Sequence, residues 1–87
     1  MVSVMMSPYD EKAQVFLAPY CCKTEAEGRR MFGDAANEPG SLIARHPDDF
    51  SLYIVGSFND ASGAVIVPTV PEFVCKAAEF VNKEGRP

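Results

Sequence analysis

The chain has no tryptophan, one histidine and only three cysteines among its 87 residues. Without Trp the core must rest on Phe, Tyr, Val, Leu and Ile. Cys21, Cys22 and Cys75 are an odd set without framework spacing, which excludes a disulfide-stapled fold. The opening MVSVMMS lacks the basic region and long apolar run of a secretory signal, so a reducing cytoplasm is the expected setting. No stretch approaches the roughly 18 consecutive apolar residues of a membrane span. An excess of base is missing as well: 8 Lys and Arg stand against 12 Asp and Glu, for a net charge of −4 and a pI near 4.8. A protein that coats DNA through phosphate neutralisation is normally basic, because counterion release drives that binding. Such a coat is therefore excluded, while a local basic patch or a protein-bridged contact is not. The glycines are scattered singly, so no phosphate-cradling loop is present.

What is there fits one small domain over 1–87, with no repeat, linker or low-complexity segment. The composition, 47% apolar and 23% charged, is that of an ordinary globular chain. Stability on the order of 4–13 kcal/mol follows from the usual range per residue. Val2, Val4 and Met6 alternate as a strand does, SPYDEK at 7–12 reads as a turn, and 13–18 returns as a second strand ended by Pro19. Thr24 to Glu27 spells a capping box that opens a helix to about Asn37. Met31, Phe32, Ala35 and Ala36 form its apolar stripe, and Gly28 and Gly33 invite close packing. Ser41 caps a single turn closed by Pro47. From Phe50 the pattern alternates again, with Phe50, Leu52, Ile54, Gly56 and Phe58 on one side and Ser51, Tyr53, Val55 and Ser57 on the other. A loop at 59–63 leads to a return strand at 64–67. Thr69 to Glu72 repeats the capping pattern, with Phe73, Ala77, Phe80 and Val81 on one helical face, Glu72–Lys76 and Glu79–Lys83 pairs, and Gly85 as the stop. The order β-β-α-β-β-α predicts an α+β fold, a small antiparallel sheet with helices packed on one face.

The candidate chemistry is sparse. His46, beside Asp48 and Asp49, could be oriented as a general base, but no nucleophile setting accompanies it. Bracing of a turn is the better reading. Cys21, Cys22, Cys75 and His46 count as four zinc donors, yet adjacent cysteines do not present both sulfurs to one tetrahedral ion. No catalytic residue, metal site or cofactor is expected. Arg29 and Arg30 precede the Arg-His-Pro-Asp-Asp elbow that Arg45 opens, and Tyr53 lies on the outer side of its strand. Arginine beside an aromatic ring is the pairing that grips single-stranded nucleic acid, although Glu25, Glu27 and Asp34 can neutralise both helix arginines.

The run R-M-F-x-D-A-x-N-x-P-x-S from Arg30, followed by H-P-D-D-F-S-L-Y-x-x-G-x-F-x-D-x-x-G from His46, resembles the small non-structural protein of gokushovirus-type microviruses, tailless bacteriophages with single-stranded DNA genomes. Phe16-Leu17-Ala18-Pro19 is similar to that family's start, and the resemblance spans roughly residues 9–68. It implies a protein made in the host bacterial cytoplasm during infection and absent from the mature virion. It further implies a part in single-stranded DNA synthesis or its coupling to packaging, and brings no functional residues to carry over. The first expectation is a non-enzymatic accessory factor acting through protein contacts with phage or host replication proteins or procapsid components. The alternative is direct binding of single-stranded DNA by Arg29, Arg30, Arg45 and Tyr53. The uncharged VSVMMS strand, if it lies at a sheet edge, is also a surface for homodimerisation.

Overall fold

A computed structural model describes residues 1–81. Two long antiparallel strands, β1 (Val2–Asp10) and β4 (Phe50–Asn59), run side by side through the middle of one sheet. Short strands line their outer edges. β2 (Val15–Phe16) and β3 (Tyr20–Cys22) both pair with β1, while β5 (Val65–Ile66) and β6 (Glu72–Lys76) both pair with β4. The helices are α1 (Glu25–Asn37) and α2 (Leu42–Arg45), with 3-10 turns at Pro47–Asp49 and Ala77–Phe80. The α+β class and its antiparallel sheet are therefore as the sequence predicts.

Two expectations near the amino end are corrected. β1 does not turn at Pro8 but continues to Asp10, and the reversal falls at 11–14, where Gln14 adopts a positive φ of 58°. Proline is tolerated there because the Pro8 carbonyl points toward the β2 side, accepting from the Leu17 amide at 2.8 Å. Its missing N–H shares that side, in the break between β2 and β3, so no ladder bond to β4 is lost. Pro19 likewise interrupts pairing without ending it, since Tyr20–Cys22 resume opposite Val4–Met6.

The largest departure is at the carboxyl end. Residues 72–76 form a strand, not a helix, and the 3-10 turn follows; Lys83 and Gly85 lie outside the described residues. The free edge of β4 offers Ser51–Ile54 as partners, and a bulge at Val74 lets Phe73 and Cys75 sit on opposite faces of the sheet. Tertiary pairing thus overrides a local helical pattern. A capping bond does form, but one turn later: the Lys76 amide donates to Glu79 Oε2 at 2.9 Å.

α1 follows its expected bounds. Thr24 Oγ1 accepts from the Glu27 amide at 3.1 Å, while Glu27 reaches the Lys23 amide at 2.8 Å, one residue before the amide a capping box would use. Gly28, Phe32, Gly33 and Ala36 face inward, and Met31 is exposed, so the buried stripe is shifted by one position. A Cβ at Gly28 would collide with Met6 Sδ, and one at Gly33 would come 2.7 Å from Phe80 Cδ1. Gly28 lets the helix lie directly on the sheet, and Gly33 lets the 77–80 turn pack against the helix. Ser41 Oγ accepts from Ala44 and donates to Ala35 O at 2.6 Å, tying α2 to the end of α1.

The core lies between this helical layer and one sheet face: Met6, Cys22, Phe50, Leu52 and Cys75 meet Phe32, Ala36, Ile43 and Ala77. Register shifts beside Met5 and beside Tyr53 alter the simple alternation. Val4, which packs on the core, stands opposite Ser57, while Gly56 and Phe58 pair with Met5 and Ser3. Gly56 and Phe58 therefore leave the face of Phe50, Leu52 and Ile54 to which alternation alone assigns them. The molecule measures 48 × 24 × 18 Å with a radius of gyration of 13.6 Å. A chain of this length packed to typical compactness has a radius of about 12 Å. The excess reflects an elongated shape.

Candidate functional site

The sheet face opposite the helices carries four aromatic rings. Strand pairing sets Tyr9 of β1 against Phe16 of β2, and Tyr53 of β4 against Phe73 of β6. Tyr53 is the hub, with ring centroids 5.8 Å from Tyr9, 5.5 Å from Phe16 and 5.7 Å from Phe73, each near an edge-to-face angle. Tyr9 and Phe16 lie 4.6 Å apart. Such pairs gain more than their burial alone supplies, so the cluster holds its shape before anything binds. It remains open: Phe16 is 40% and Phe73 51% exposed.

The border of this face is electrically balanced. Ser51 Oγ donates to Glu11 Oε2 at 2.6 Å, and Lys76 Nζ lies 3.9 Å from the same oxygen. The Lys76 charge is thus met by Glu11 before any ligand arrives.

The arginines proposed from the sequence do not join these rings. Arg29 and Arg30 belong to α1, in the layer over the opposite sheet face, where they line a shallow groove of about 560 Å³ with Asp34, Asn37 and Phe80. Asn37 closes the end of that groove by donating to Gly33 O and Phe80 O. Arg45 is exposed in the last turn of α2. Of the four residues, only Tyr53 stands on the aromatic face, and the structure places it among other rings instead of among cations.

The two buried thiols are held as neutral groups. Burial pushes the Cys75 thiol up to about 11, against the pull of Arg29, with Glu79 and Glu25 adding to the rise. Burial raises Cys22 too, helped by Glu27 and Cys21. Tyr20 is pushed up to about 12, chiefly by burial, and its hydroxyl donates to Gly28 O at 3.0 Å. None of these is an activated nucleophile, which requires the thiolate. Cys22 and Cys75 face the core, whereas Cys21 and His46 are exposed, so the four zinc donors are not gathered. Among the described residues no group of three or more His, Cys, Asp or Glu side chains could hold a metal ion. His46 works through its backbone: its amide reaches Ile43 O and Leu42 O, and its carbonyl accepts from Asp49 at 3.0 Å.

Sequence reasoning missed the aromatic face because it assigned Tyr9 to a turn and Phe73 to a helix. A signal existed in Tyr9 and Phe16, two aromatic residues on either side of one reversal.

The model of the phage ORF5 protein family matches residues 3–80. That family is not a known enzyme family. No curated protein and no solved structure matches the chain. Among the described residues, no helix is long and apolar enough to cross a membrane.

Proposed function

The chain belongs to the phage ORF5 protein family, and on that premise we propose that it is a non-enzymatic accessory protein of a gokushovirus-type microvirus. In this reading it modulates viral single-stranded DNA synthesis or its coupling to packaging in the host cytoplasm. It does so through contacts with replication or procapsid proteins. The observation that carries the reading is the open cluster of Tyr9, Phe16, Tyr53 and Phe73 with a charge-balanced border. Exposed aromatic anchors on a rigid scaffold are what protein interfaces concentrate at their centres. A single-strand binder needs rings and uncompensated cations on one surface. Here the rings and the α1 arginines belong to opposite layers of the fold.

Affinity capture from infected cells, with and without nuclease, tests this. Protein partners retained after nuclease and lost with the Tyr53→Ser/Phe73→Ser double variant are expected. Loss of every partner on nuclease treatment would overturn the reading.

Direct binding of single-stranded DNA is the second reading, favoured by one feature: four rings on the free face of an antiparallel sheet offer stacking surfaces. Titration of labelled oligonucleotide across salt separates the two. A steep salt slope, with affinity lost on Tyr53→Ser with Phe73→Ser, would establish DNA contact through the ring face. Absence of binding at low salt would end it.

A further inference from the structure

The sheet has an edge that is chemically unlike the rest of the surface. From Ala61 to Pro71 the chain carries no charged residue, and every residue of that stretch is exposed. Val65, Ile66 and Val67 are 53%, 63% and 67% exposed, and β5 forms the end of the strand order. Natural sheet edges usually carry a lysine, an inward charge or a covering element to prevent pairing. This one has none of them.

The ladder shows which backbone groups are available. The Asn59 amide donates to Ala64 O at 2.9 Å, so 59 and 64 form a hydrogen-bonded pair. In an antiparallel ladder such pairs alternate, which makes Ser57 and Ile66 the next one. The Ile66 carbonyl indeed lies on the β4 side, where a Cβ at Gly56 would meet it at 2.8 Å. Val65 and Val67 therefore direct their N–H and C=O groups away from the sheet. Pro68, by the same alternation, stands where its N–H would point inward, so it removes no outward donor.

We propose that this edge pairs with the same edge of a second copy, antiparallel and centred on Ile66. In that register Val65 of one copy faces Val67 of the other, and the reverse, so the outward groups satisfy one another in a two-fold arrangement. Ile66 stands opposite its own copy in the intervening pair, where side chains come closest. The uncharged stretch is what permits this in a protein of net charge −4, since a two-fold axis sets like charges against each other. β1, the strand expected from sequence to pair between copies, is flanked by β4 on one side and by β2 and β3 on the other. β5 pairs with β4 alone, which leaves its other side open to a partner.

Sedimentation equilibrium of the full chain from micromolar to millimolar concentration tests the pairing, alongside amide hydrogen exchange. A reversible dimer is expected, with exchange at Val65 and Val67 slowing as concentration rises. Ile66→Lys and Ile66→Glu should each weaken self-association at least roughly tenfold, because like charges then lie directly opposite. Mixing the two variants should restore a heterodimer. Ile66 is exposed, and unchanged thermal unfolding of each variant would show that the monomer fold is intact. A monomer at every concentration, with Val65 and Val67 exchanging freely, would overturn the self-pairing and leave the edge to a strand from another protein. A dimer indifferent to Ile66→Lys would overturn it equally.

Discussion

One sheet carries two faces made from the same strands, and they differ in what covers them. On β4, Phe50 and Leu52 point into a core roofed by α1 and α2, while Tyr53, between Leu52 and Ile54, points to a face that no helix covers. The covered face holds aliphatic, sulfur and phenyl groups at near-zero exposure. The open face holds rings packed edge to face, with a hydroxyl and an ion pair at its border. Both faces are apolar, so hydrophobicity does not tell them apart. What separates them is α1, which Gly28 brings down onto one side only. Stability is concentrated in the covered face and recognition in the open one.

The strongest way to break this comparison is to truncate a residue on each side. Phe50→Ala should destabilise the fold by about 3–5 kcal/mol in urea unfolding, because the cavity is sealed by the helical layer. Phe73→Ala should cost roughly 1 kcal/mol or less, its ring being half in water already. Equal losses would mean that the open face is part of the core.

Alkaline pH probes the covered face alone. Cys75 rises from 9.0 to about 11 on folding, so its contribution is complete below pH 9 and is lost as pH climbs through 11. Tyr20, raised from 10.0 to about 12, adds a second loss that begins near pH 10 and runs to about 12. A fall on the order of 2 kcal/mol between pH 9 and 11 is expected for Cys75. Cys75→Ala should flatten that part of the curve, whereas Phe73→Ala should leave it unchanged.

Partner affinity reads the open face. Tyr53→Ser should weaken capture of a protein partner by roughly tenfold or more, as loss of a central aromatic anchor does. The smallest effect belongs to the border. Lys76→Ala should change stability by less than about 0.5 kcal/mol, since both partners are substantially exposed. A larger loss would show that the pair with Glu11 orders the 11–14 reversal.

Much of the covered face was legible in the sequence, for a physical reason. Thr24, Ser41 and the alternation from Phe50 to Ile54 are local signals, and each appears where the sequence places it. The open face was not legible, because its rings come from four strands and only register unites them. Residues 72–76 were misread for a related reason: Glu72 and Lys76 satisfy a helical spacing, and only the vacant edge of β4 decides otherwise. The arginines were found by type and proximity in sequence, yet the sheet stands between Arg29 and Tyr53.

The pairing of the two long strands also sets a timetable. Asp10 meets Phe50 and Val2 meets Asn59, so β1 has its principal partner only after a loop of roughly 40 residues has been closed. At synthesis rates of about 5–20 residues per second, that interval lasts seconds. Throughout it, Val2 to Met6 is an uncharged strand held only by the three residues of β3, and α1 has half a floor to lie on. Completion of β4 at the ribosome is therefore the event that covers this sticky strand and gives α1 the rest of its floor.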